Sequence, residues 1–395
     1  MRTVEEKNGR VGAVVLGGDF QGLGLAHSLV EMGVPVFLLE HEWSIGRYSK
    51  IIKRKERNFK LLVGNHFADY LIELAEREKL HGWVLFPNND EEIRLLSVNH
   101  HKLDGVYRNP IPPWETVRKF YDKRVAYEIA DQLSIPIPKL YRAGTLEELL
   151  GQKLEFPLVL KPTVKGKYFA KKKKKAVSVG SREALIREFQ EMSSIIDSSE
   201  IIVQEMIEGG PKNLFSYVTV FDGTKSIAGM SARRLRQHPM DFGHATTYAE
   251  SVSVPELEIL GNKILSGIGF SGLAEVEFMW DEKNRYFKFI EINGRVWGWH
   301  TLAKAAGVNL PFIWFQHLMR EATMVQEAAG GVKWIRLITD MPTVFKELIT
   351  GRMSLQEYFK SMRGKREFVI LSSGDHLPFL MEFMMIPFLW WKKGF

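Results

Sequence analysis

Hydrophobic and polar positions alternate along residues 269–300, GFSGLAEVEFMWDEKNRYFKFIEINGRVWGWH. The turn-forming residues 281–284 interrupt the alternation, which predicts two antiparallel strands joined by a tight turn. Because successive side chains of a strand point to opposite faces, Glu275 and Glu277 are expected on one face of the first strand. One face of the second strand is expected to carry Phe287, Phe289, Glu291 and Asn293.

If these two faces coincide, two carboxylates and an amide converge beside Arg295, which follows the permissive Gly294. Hard oxygen ligands next to a guanidinium suit Mg2+ bridging phosphate oxygens. A hairpin with acids on its solvated face is the alternative. The apolar residues between the acids favour a strand buried on at least one side, where acids need partners.

The N-terminal pattern predicts strand, helix and strand, with apolar runs at 11–16 and 34–39 and a helix between them through residue 32. Further alternation to about residue 110 predicts an open parallel sheet. The glycines of residues 17–24 do not have GxGxxG spacing, so a turn without a dinucleotide and an NAD site both stay open. For residues 88–90, NND, we expect a helix cap, with an acceptor-side role as the alternative.

The second half predicts a helix over 114–133, antiparallel strands at 156–162 and 176–179, and a flexible basic loop between these strands. A strand pair at 214–221 and 225–237, a helix at 255–268 and helical packing over 303–319 surround the hairpin. We divide the chain into an N-terminal α/β domain (1–113), a linker helix with a small subdomain and lysine-rich lid (114–200), a large subdomain (201–330) and a C-terminal extension (331–395).

Composition narrows the function classes. A chain of 395 residues is expected to form two or three domains, and the lack of cysteine excludes disulfides, thiolate metal sites and a cysteine nucleophile. Of the net charge of +7, the segments 47–60 and 161–175 together carry +14, so the positive charge is focal. No nucleic-acid module is evident, which favours a phosphate ligand for the second segment and a solvated basic face for the first. Nothing at the N-terminus resembles a signal peptide, so the expected compartment is the cytoplasm.

The apolar segment 377–391, LPFLMEFMMIPFLWW, is too short and interrupted to span a bilayer. Three interpretations remain open: packing on the protein's own surface, peripheral contact with a membrane, and a partner surface.

The order of elements, with GLAEVEF and then FIEINGR, resembles the ATP-grasp superfamily over roughly residues 11–320. The chain looks most similar to the carboxylate-amine ligase group that includes D-aspartate ligase-like enzymes. The shared landmarks are RYSK at 47–50, LFPNNDE at 85–91, DKR at 122–124, VLKP at 159–162, QEMIEGG at 204–210 and RRLRQHP at 233–239. The resemblance implies a mixed α/β and α+β ATP-grasp fold preceded by an open parallel-sheet domain.

The resemblance also implies roles for individual residues. Lys123 and Lys161 reach the nucleotide phosphates, and Glu208 binds the ribose hydroxyls. Arg295, with Lys161, holds the transferred phosphate. The adenine base is read by Gln204, Glu205, Met206 and Ile207. Two Mg2+ ions, for which Mn2+ can substitute, are held by Glu277, Glu291 and Asn293. Phosphate or substrate carboxylate is contacted by Arg233 and Arg236, through bidentate geometry.

The implied activity is ATP-dependent ligation of a small carboxylate and an amine, of amino-acid or peptide-like type, through an acylphosphate. A homodimer is among the expected assemblies. The alternative is a catalytically silent ATP-binding scaffold or sensor that uses its apolar tail at a membrane or partner. Two departures from the resemblance stand out: Gly294 occupies a position where the family often has proline, and the lid is rich in lysine instead of glycine.

Overall fold

The computed structural model describes residues 10–164, 166–240, 243, 245–324, 327–371 and 374–393. Its N-terminal part forms the predicted open parallel sheet, in strand order β3-β2-β1-β4. The strand sequences AVVL and VFLLE are buried throughout, as expected for strands covered on both faces. The elements are β1 (Ala13–Leu16), α1 (Phe20–Val30), β2 (Val36–Glu40), β3 (Arg54–Arg57), α2 (Phe67–Glu78), β4 (Val84–Phe86), α3 (Asp90–Val98) and α4 (His100–Leu103).

The turn after β1 is occupied by a side chain of the protein itself. Asp19 caps α1 by accepting hydrogen bonds from the backbone N–H groups of Gln21 and Gly22, at 3.0 and 3.2 Å. A carboxylate therefore lies at the helix N-terminus where a dinucleotide phosphate would bind. This arrangement favours the glycine-rich turn without a dinucleotide.

The basic segment 47–60 is not wholly a solvated face, contrary to the expectation from sequence. The Arg54 guanidinium lies 5.3 Å from the ring centres of both Phe37 and Trp83. Arg57 donates to the buried Glu40 carboxylate at 3.2 Å. Part of this positive charge is thus paired or packed against the parallel sheet.

The middle of the chain forms a second, antiparallel sheet, in strand order β5-β8-β6-β7. Its own apolar core lies between the sheet and α7 and α9. The elements are α5 (Trp114–Tyr121), α6 (Lys123–Gln132), β5 (Leu140–Tyr141), α7 (Leu146–Leu150), β6 (Leu158–Pro162), α8 (Gly166–Lys172), β7 (Val177–Val179), α9 (Arg182–Ser193) and β8 (Ile201–Glu205).

Two predictions for this region are corrected. The helix expected over 114–133 is two helices, because Asp122 adopts an extended backbone and accepts a hydrogen bond from the Arg124 N–H at 2.9 Å, which starts α6 anew. The basic segment between β6 and β7 is not simply a flexible loop, since it contains α8. Tyr168 anchors α8 in the apolar core, and Lys172 pairs with Glu191 on α9.

The third sheet has seven strands, in the order β13-β12-β9-β10-β11-β14-β15. The predicted hairpin forms its edge, and the segment 331–395 contributes β14 and β15 at the opposite edge. The elements up to residue 318 are β9 (Leu214–Asp222), β10 (Ser226–His238), β11 (Ala245–Val252), α10 (Pro255–Ile268), β12 (Ser271–Asp281), β13 (Tyr286–Asn293), α11 (Thr301–Ala305) and α12 (Leu310–Leu318). The remaining elements are β14 (Lys333–Ile335), α13 (Leu337–Ile349), α14 (Leu355–Ser361), β15 (Arg366–Phe368), α15 (Leu377–Met384) and α16 (Ile386–Lys393).

The apolar C-terminal segment packs against the chain through one side of α15. Glu382 accepts a hydrogen bond from Arg336 at 2.7 Å, and Phe379 packs on the apolar core beneath the N-terminal sheet. Leu380 and Met384 point outwards, with exposures of 58% and 74%. Packing on the protein's own surface is therefore observed for this helix. Within the described ranges, no helix combines the length and apolar character that crossing a bilayer requires. The side chains of residues 390 and 391 lie outside the described ones.

Candidate functional site

A cavity of about 290 Å3 lies between the antiparallel sheet and the seven-stranded sheet. Its apolar walls come from both sheets and include Val159, Met206, Ile207, Leu214, Met279 and Ile290. Its polar side chains belong to Asp90, Lys123, Lys161, Lys175, Gln204, Glu205, Arg234, Gln237, Glu277, Glu291, Asn293 and Arg295. A cleft that combines apolar walls with convergent charged groups is typical of a small-molecule site.

The four residues predicted to read a base follow one another along the cavity wall at the end of β8. The backbone N–H groups of Glu205 and Met206 donate to the carbonyls of Lys139 and Pro157, at 2.9 and 3.1 Å, which fixes the course of the chain here. Ile207 is the next residue and lines the cavity. The predicted ribose ligand, Glu208, is exposed and is not among the lining residues.

Both predicted phosphate lysines line the cavity. Lys161, on β6, is 7% exposed and donates to the Tyr127 hydroxyl at 2.6 Å. Burial and the nearby Lys123 ammonium lower the pKa of Lys161 to about 7. Lys123 is the first residue of α6 and lies 3.1 Å from Glu291. Burial opposes the charge on Lys123, but the Glu291 carboxylate outweighs it and raises the lysine pKa.

The register of the hairpin brings the predicted acids together. Glu277 stands opposite Glu291, and Glu275 stands opposite Asn293. A β-bulge follows Glu277, so that Phe278 pairs with Phe289 and Ile290 is the extra residue.

The bulge corrects one prediction about the second strand. Phe287 and Phe289 do not share the face of Glu291 and Asn293; they are buried in the apolar core, whereas Glu291 and Asn293 line the cavity. The alternation holds only up to the bulge, which moves Ile290 to the cavity side. The carboxylates of Glu277 and Glu291 and the amide of Asn293 nevertheless line the same cavity.

The carboxylates are held in different protonation states. Burial raises the pKa of Glu291, but Lys123, Lys175 and Lys161 outweigh burial and hold it well below its usual range. Glu275 lies deeper, at 2% exposure, where burial and the neighbouring Glu277 raise its pKa to about 8. Glu291 is therefore ionised at neutral pH, as a metal ligand must be.

Asn293 and Arg295 are tied into the same network. The Asn293 amide nitrogen donates to Glu275 and Glu277, at 3.0 and 3.2 Å. Its oxygen accepts from the Arg295 guanidinium at 3.3 Å. Arg295 also donates to Asp90 at 2.6 Å, which links the start of α3 to the end of the hairpin.

Of residues 88–90, for which a helix cap was expected and an acceptor-side role was the alternative, Asp90 lines the cavity. Its neighbour Asn89 caps α3 and forms a capping box with Glu92, as expected for a cap. The polar cluster NND was the available signal, but only the fold shows which of its members reaches the cavity.

The structure brings Arg234 to the cavity instead of Arg233 and Arg236. Arg234 donates to Glu277 at 3.3 Å. Arg236 is 3% exposed and makes a bidentate pair with Asp340, at 2.7 and 2.8 Å. Arg233 donates to the Lys212 carbonyl and stacks on Phe215. The pairing of β10 with β11 becomes irregular after Arg234. Strict alternation along the strand therefore does not identify which arginine faces the cavity.

The donor set fits Mg2+ in chemical type. Among the described residues, no group of three or more His, Cys, Asp or Glu side chains could hold a metal ion. The cavity offers two carboxylates, Glu277 and Glu291, with the Asn293 amide beside them. Mg2+ in phosphate-transfer sites uses one or two protein carboxylates and takes its other ligands from phosphates and water.

Comparison with known proteins gives a consistent result for the fold. No family model matches the chain. Acetyl-CoA carboxylase of Schizosaccharomyces pombe is 20% identical over 285 residues, which cover 62% of this chain. The match spans only 12% of that relative's length.

Solved structures match over most of the chain. The biotin carboxylase domain of Hydrogenobacter thermophilus 2-oxoglutarate carboxylase has a TM-score of 0.62 at 16% identity, covering 82% of this chain and 73% of that one. N5-carboxyaminoimidazole synthetase of Staphylococcus aureus has a TM-score of 0.64 at 16% identity, covering 87% of both chains. L-amino acid ligase of Bacillus licheniformis has a TM-score of 0.57 at 16% identity, covering 80% of this chain and 75% of that one. The predicted fold class is thus confirmed: the chain has the ATP-grasp fold, preceded by an open parallel sheet.

Proposed function

We propose that the protein is an ATP-dependent carboxylate-amine ligase that forms an amide or peptide bond through an acylphosphate. The observation that carries the proposal is the convergence of Glu277, Glu291 and Asn293 with Lys123 and Lys161 at one cavity. The acids alone would suit a cation, and the lysines alone would suit an anion. Together they suit a metal-bound polyphosphate.

In the proposed complex, the adenine base lies among the apolar side chains and meets the chain at residues 204–207. Lys123 and Lys161 neutralise the phosphates. Lys175 lines the same cavity and lies at the end of the basic segment that carries α8. We therefore assign Lys175 to the lid side of the nucleotide.

Glu277, Glu291 and Asn293 would hold Mg2+, with Mn2+ as a substitute. When bound, the metal neutralises the phosphate oxygens and orients the γ-phosphoryl group. Arg234 pairs with the Glu277 carboxylate, and Lys123 pairs with that of Glu291, which orients both carboxylates. Arg295 is placed beside Asn293 to stabilise the transferred phosphoryl group.

The proposed reaction has two steps. A carboxylate oxygen of the first substrate attacks the γ-phosphorus, the bond to the β,γ-bridging oxygen breaks, and ADP leaves with that electron pair. The amine nitrogen then bonds to the acyl carbon, the bond from this carbon to the phosphate oxygen breaks, and phosphate leaves with the electrons. The proton lost by the nitrogen passes to water. Positioning and charge neutralisation supply most of the rate in phosphoryl transfers of this kind.

The structural neighbours support the same chemistry. The carboxylase domain was solved as a dimer with MgADP and bicarbonate, and another neighbour is named as an L-amino acid ligase. By analogy with them, we infer ATP and Mg2+ as the cofactors and small molecules as the substrates of this chain. A homodimer and a cytoplasmic location stay predictions.

Replacing Glu291 with glutamine tests the proposal. Glu291→Gln removes one ionised ligand and is expected to abolish substrate-dependent ADP formation while leaving the thermal unfolding midpoint within a few degrees of wild type. The matched control is Glu256→Gln, in the first turn of α10. Full activity of Glu291→Gln would contradict the proposal. Nucleotide binding without turnover by the wild-type protein, over a panel of carboxylates and amines, would favour the silent scaffold.

A further inference from the structure

Helices α13 and α14 carry a group of exposed apolar side chains outside the candidate site. On α13, Met341, Phe345 and Ile349 follow one another at four-residue spacing, with exposures of 59%, 64% and 69%. Side chains at this spacing lie on one face of a helix. On α14, Leu355 and Phe359 repeat the spacing, with exposures of 61% and 64%. We call these five side chains the apolar patch; a group of this kind indicates an interaction surface, whereas a single exposed apolar residue does not.

Other faces of both helices are held on the same part of the seven-stranded sheet. Asp340 of α13 pairs with Arg236 of β10 and accepts a hydrogen bond from Thr247 of β11 at 2.9 Å. The Ser361 hydroxyl of α14 accepts from Arg236 at 3.0 Å, and the Ser361 carbonyl accepts from Tyr248 of β11 at 2.8 Å. One buried arginine therefore anchors both helices. The apolar patch consequently lies on the outside of a firmly held part of the fold.

The chain around the apolar patch is basic at its surface. Lys346 and Lys360 each directly follow a phenylalanine of the patch. Arg352, in the turn between the helices, pairs with Glu347 at 2.8 Å, so its charge is not counted here. Five exposed cations of residues 346–366 make no ion pair with the part of the chain that the structure describes: Lys346, Lys360, Arg363, Lys365 and Arg366.

The acids of the same segment do not neutralise these cations. Asp340 and Glu347 are buried and are paired with arginines. Glu367 is half-buried, and burial raises its pKa to about 7. Within residues 337–371, all of which are described, the one exposed acid is Glu357, which closes the capping box of α14. The apolar patch therefore lies in a surface with a clear excess of positive charge.

This charge discriminates between the molecules that could cover the patch. A second copy of the chain, related by a two-fold axis, would place the same surface against itself and oppose its cations to each other. A folded protein partner would have to supply a matching groove for side chains that protrude this far. An anionic lipid layer needs no groove: apolar side chains enter the boundary of the acyl chains, and lysine and arginine meet the headgroups.

We propose that the outer surface of α13 and α14 binds peripherally to an anionic lipid bilayer. Phe345, Ile349 and Phe359 enter the headgroup boundary, and Lys346 and Lys360 contact lipid phosphates. The sequence analysis left membrane contact open for residues 377–391, but the structure favours residues 341–363. The inference does not depend on the proposed ligase function.

The membrane contact would also place the candidate site close to the lipid surface. Arg234 and Arg236 are two residues apart on β10. Arg234 lines the cavity, whereas Arg236 anchors the two helices that carry the patch. A bilayer bound at the patch would therefore lie behind one wall of the cavity.

Flotation of the full-length protein with vesicles tests the inference. One set of vesicles contains phosphatidylcholine alone, and the other contains equal amounts of phosphatidylcholine and phosphatidylglycerol. We expect the protein to bind the anionic vesicles about ten-fold more tightly than the neutral ones. Most of this binding should be lost when the salt concentration rises from about 0.1 M to about 1 M, because the Debye length falls from about 10 Å to about 3 Å.

Two multiple variants separate the apolar and the charged contributions. Phe345→Ser with Phe359→Ser should weaken binding to the anionic vesicles about ten-fold and leave the thermal unfolding midpoint within a few degrees of wild type, because both rings are exposed. Lys346→Gln with Lys360→Gln should weaken binding to a similar extent and reduce its salt dependence. The matched control is Ile259→Ser with Lys263→Gln, at exposed positions of α10, and should bind like wild type.

Three results would overturn the inference. The first is wild-type protein that binds neither kind of vesicle, or both equally. The second is unchanged vesicle binding in both multiple variants. The third is a wild-type dimer, measured by light scattering, that becomes a monomer in Phe345→Ser with Phe359→Ser, which would assign the surface to a second copy of the chain. The comparison of vesicles uses wild-type protein, so it decides the question even where a variant does not fold.

Discussion

The Lys161 ammonium donates a hydrogen bond of 2.6 Å to the Tyr127 hydroxyl, which in turn donates to the Gln204 side-chain oxygen at 3.1 Å. Tyr127 is fully buried, and the Lys161 nitrogen lies 4.9 Å from the centre of its ring. A phosphate lysine and a residue of the proposed base-binding segment are therefore connected through one side chain of α6. No pattern in the sequence points to Tyr127.

Proton uptake is expected when the nucleotide binds. With its pKa lowered to about 7, Lys161 is mostly neutral at pH 8. A bound triphosphate favours the ammonium form, so binding at pH 8 should take up close to one proton. Calorimetry in buffers of different ionisation enthalpy measures this number. Lys161→Met should reduce the uptake to near zero; unchanged uptake in this variant would contradict the assignment.

The lowered pKa of Lys161 is also expected to make the stability of the protein depend on pH. Its folded-state pKa lies below the value of about 10.4 for an unperturbed lysine, so between these values the unfolded chain binds more protons at this residue. The contribution of Lys161 to the free energy of unfolding therefore rises with pH through this window. Urea unfolding of wild type and Lys161→Met at pH 7 and pH 9.5 checks this. The difference in the free energy of unfolding between wild type and Lys161→Met should shift in favour of wild type at pH 9.5.

Tyr127 is expected to act as a positioning residue. Tyr127→Phe keeps the ring but removes the hydroxyl that accepts from Lys161, and a net hydrogen bond is worth about 1 kcal/mol. We expect kcat/KM for ATP to decrease about five- to ten-fold and the pH midpoint of proton uptake to move down. A purely structural role would lower the unfolding midpoint without moving the pH profile. Tyr141→Phe, at another buried tyrosine, is the control.

Substitutions of the three arginines of β10 are predicted to differ in their effects on turnover and on stability. Arg234→Met removes the cation that pairs with Glu277 and should lower turnover about 10²-fold. Its loss of stability should be smaller than that of Arg236→Met, because Asn293 still donates to Glu277. Arg236→Met leaves the buried Asp340 carboxylate unpaired and should cost about 3 to 5 kcal/mol in the free energy of unfolding. Arg233→Met should leave both quantities near wild type. Denaturant unfolding and ADP release, measured on the same preparations, distinguish these outcomes.

Sequence patterns predicted the elements of the site better than the exact side chains in it. The hairpin, the parallel sheet and the helix at 255–268 were accessible because their apolar periodicity is local. That Arg234 faces the cavity could not be predicted, because irregular pairing of β10 with β11 overrides the alternation of side chains. Tyr127 could not be predicted for a different reason: it reaches Lys161 and Gln204 only through packing of α6 against distant strands, which no local pattern encodes.

The contact between Gly294 and Phe120 gives a final prediction. Gly294→Ala places a Cβ atom against the Phe120 and Phe270 rings, and overpacking of this kind costs about 1 to 3 kcal/mol. Phe120→Ala opens space on one side of the new atom, so the double variant should be more stable than the sum of the two single effects predicts. Unfolding free energies of the four proteins give the coupling directly, and additive values would show that the two residues do not compete for the same space. As a control, Gly166→Ala, where an added Cβ has no neighbouring atom within 4 Å, should show no coupling to Phe120→Ala.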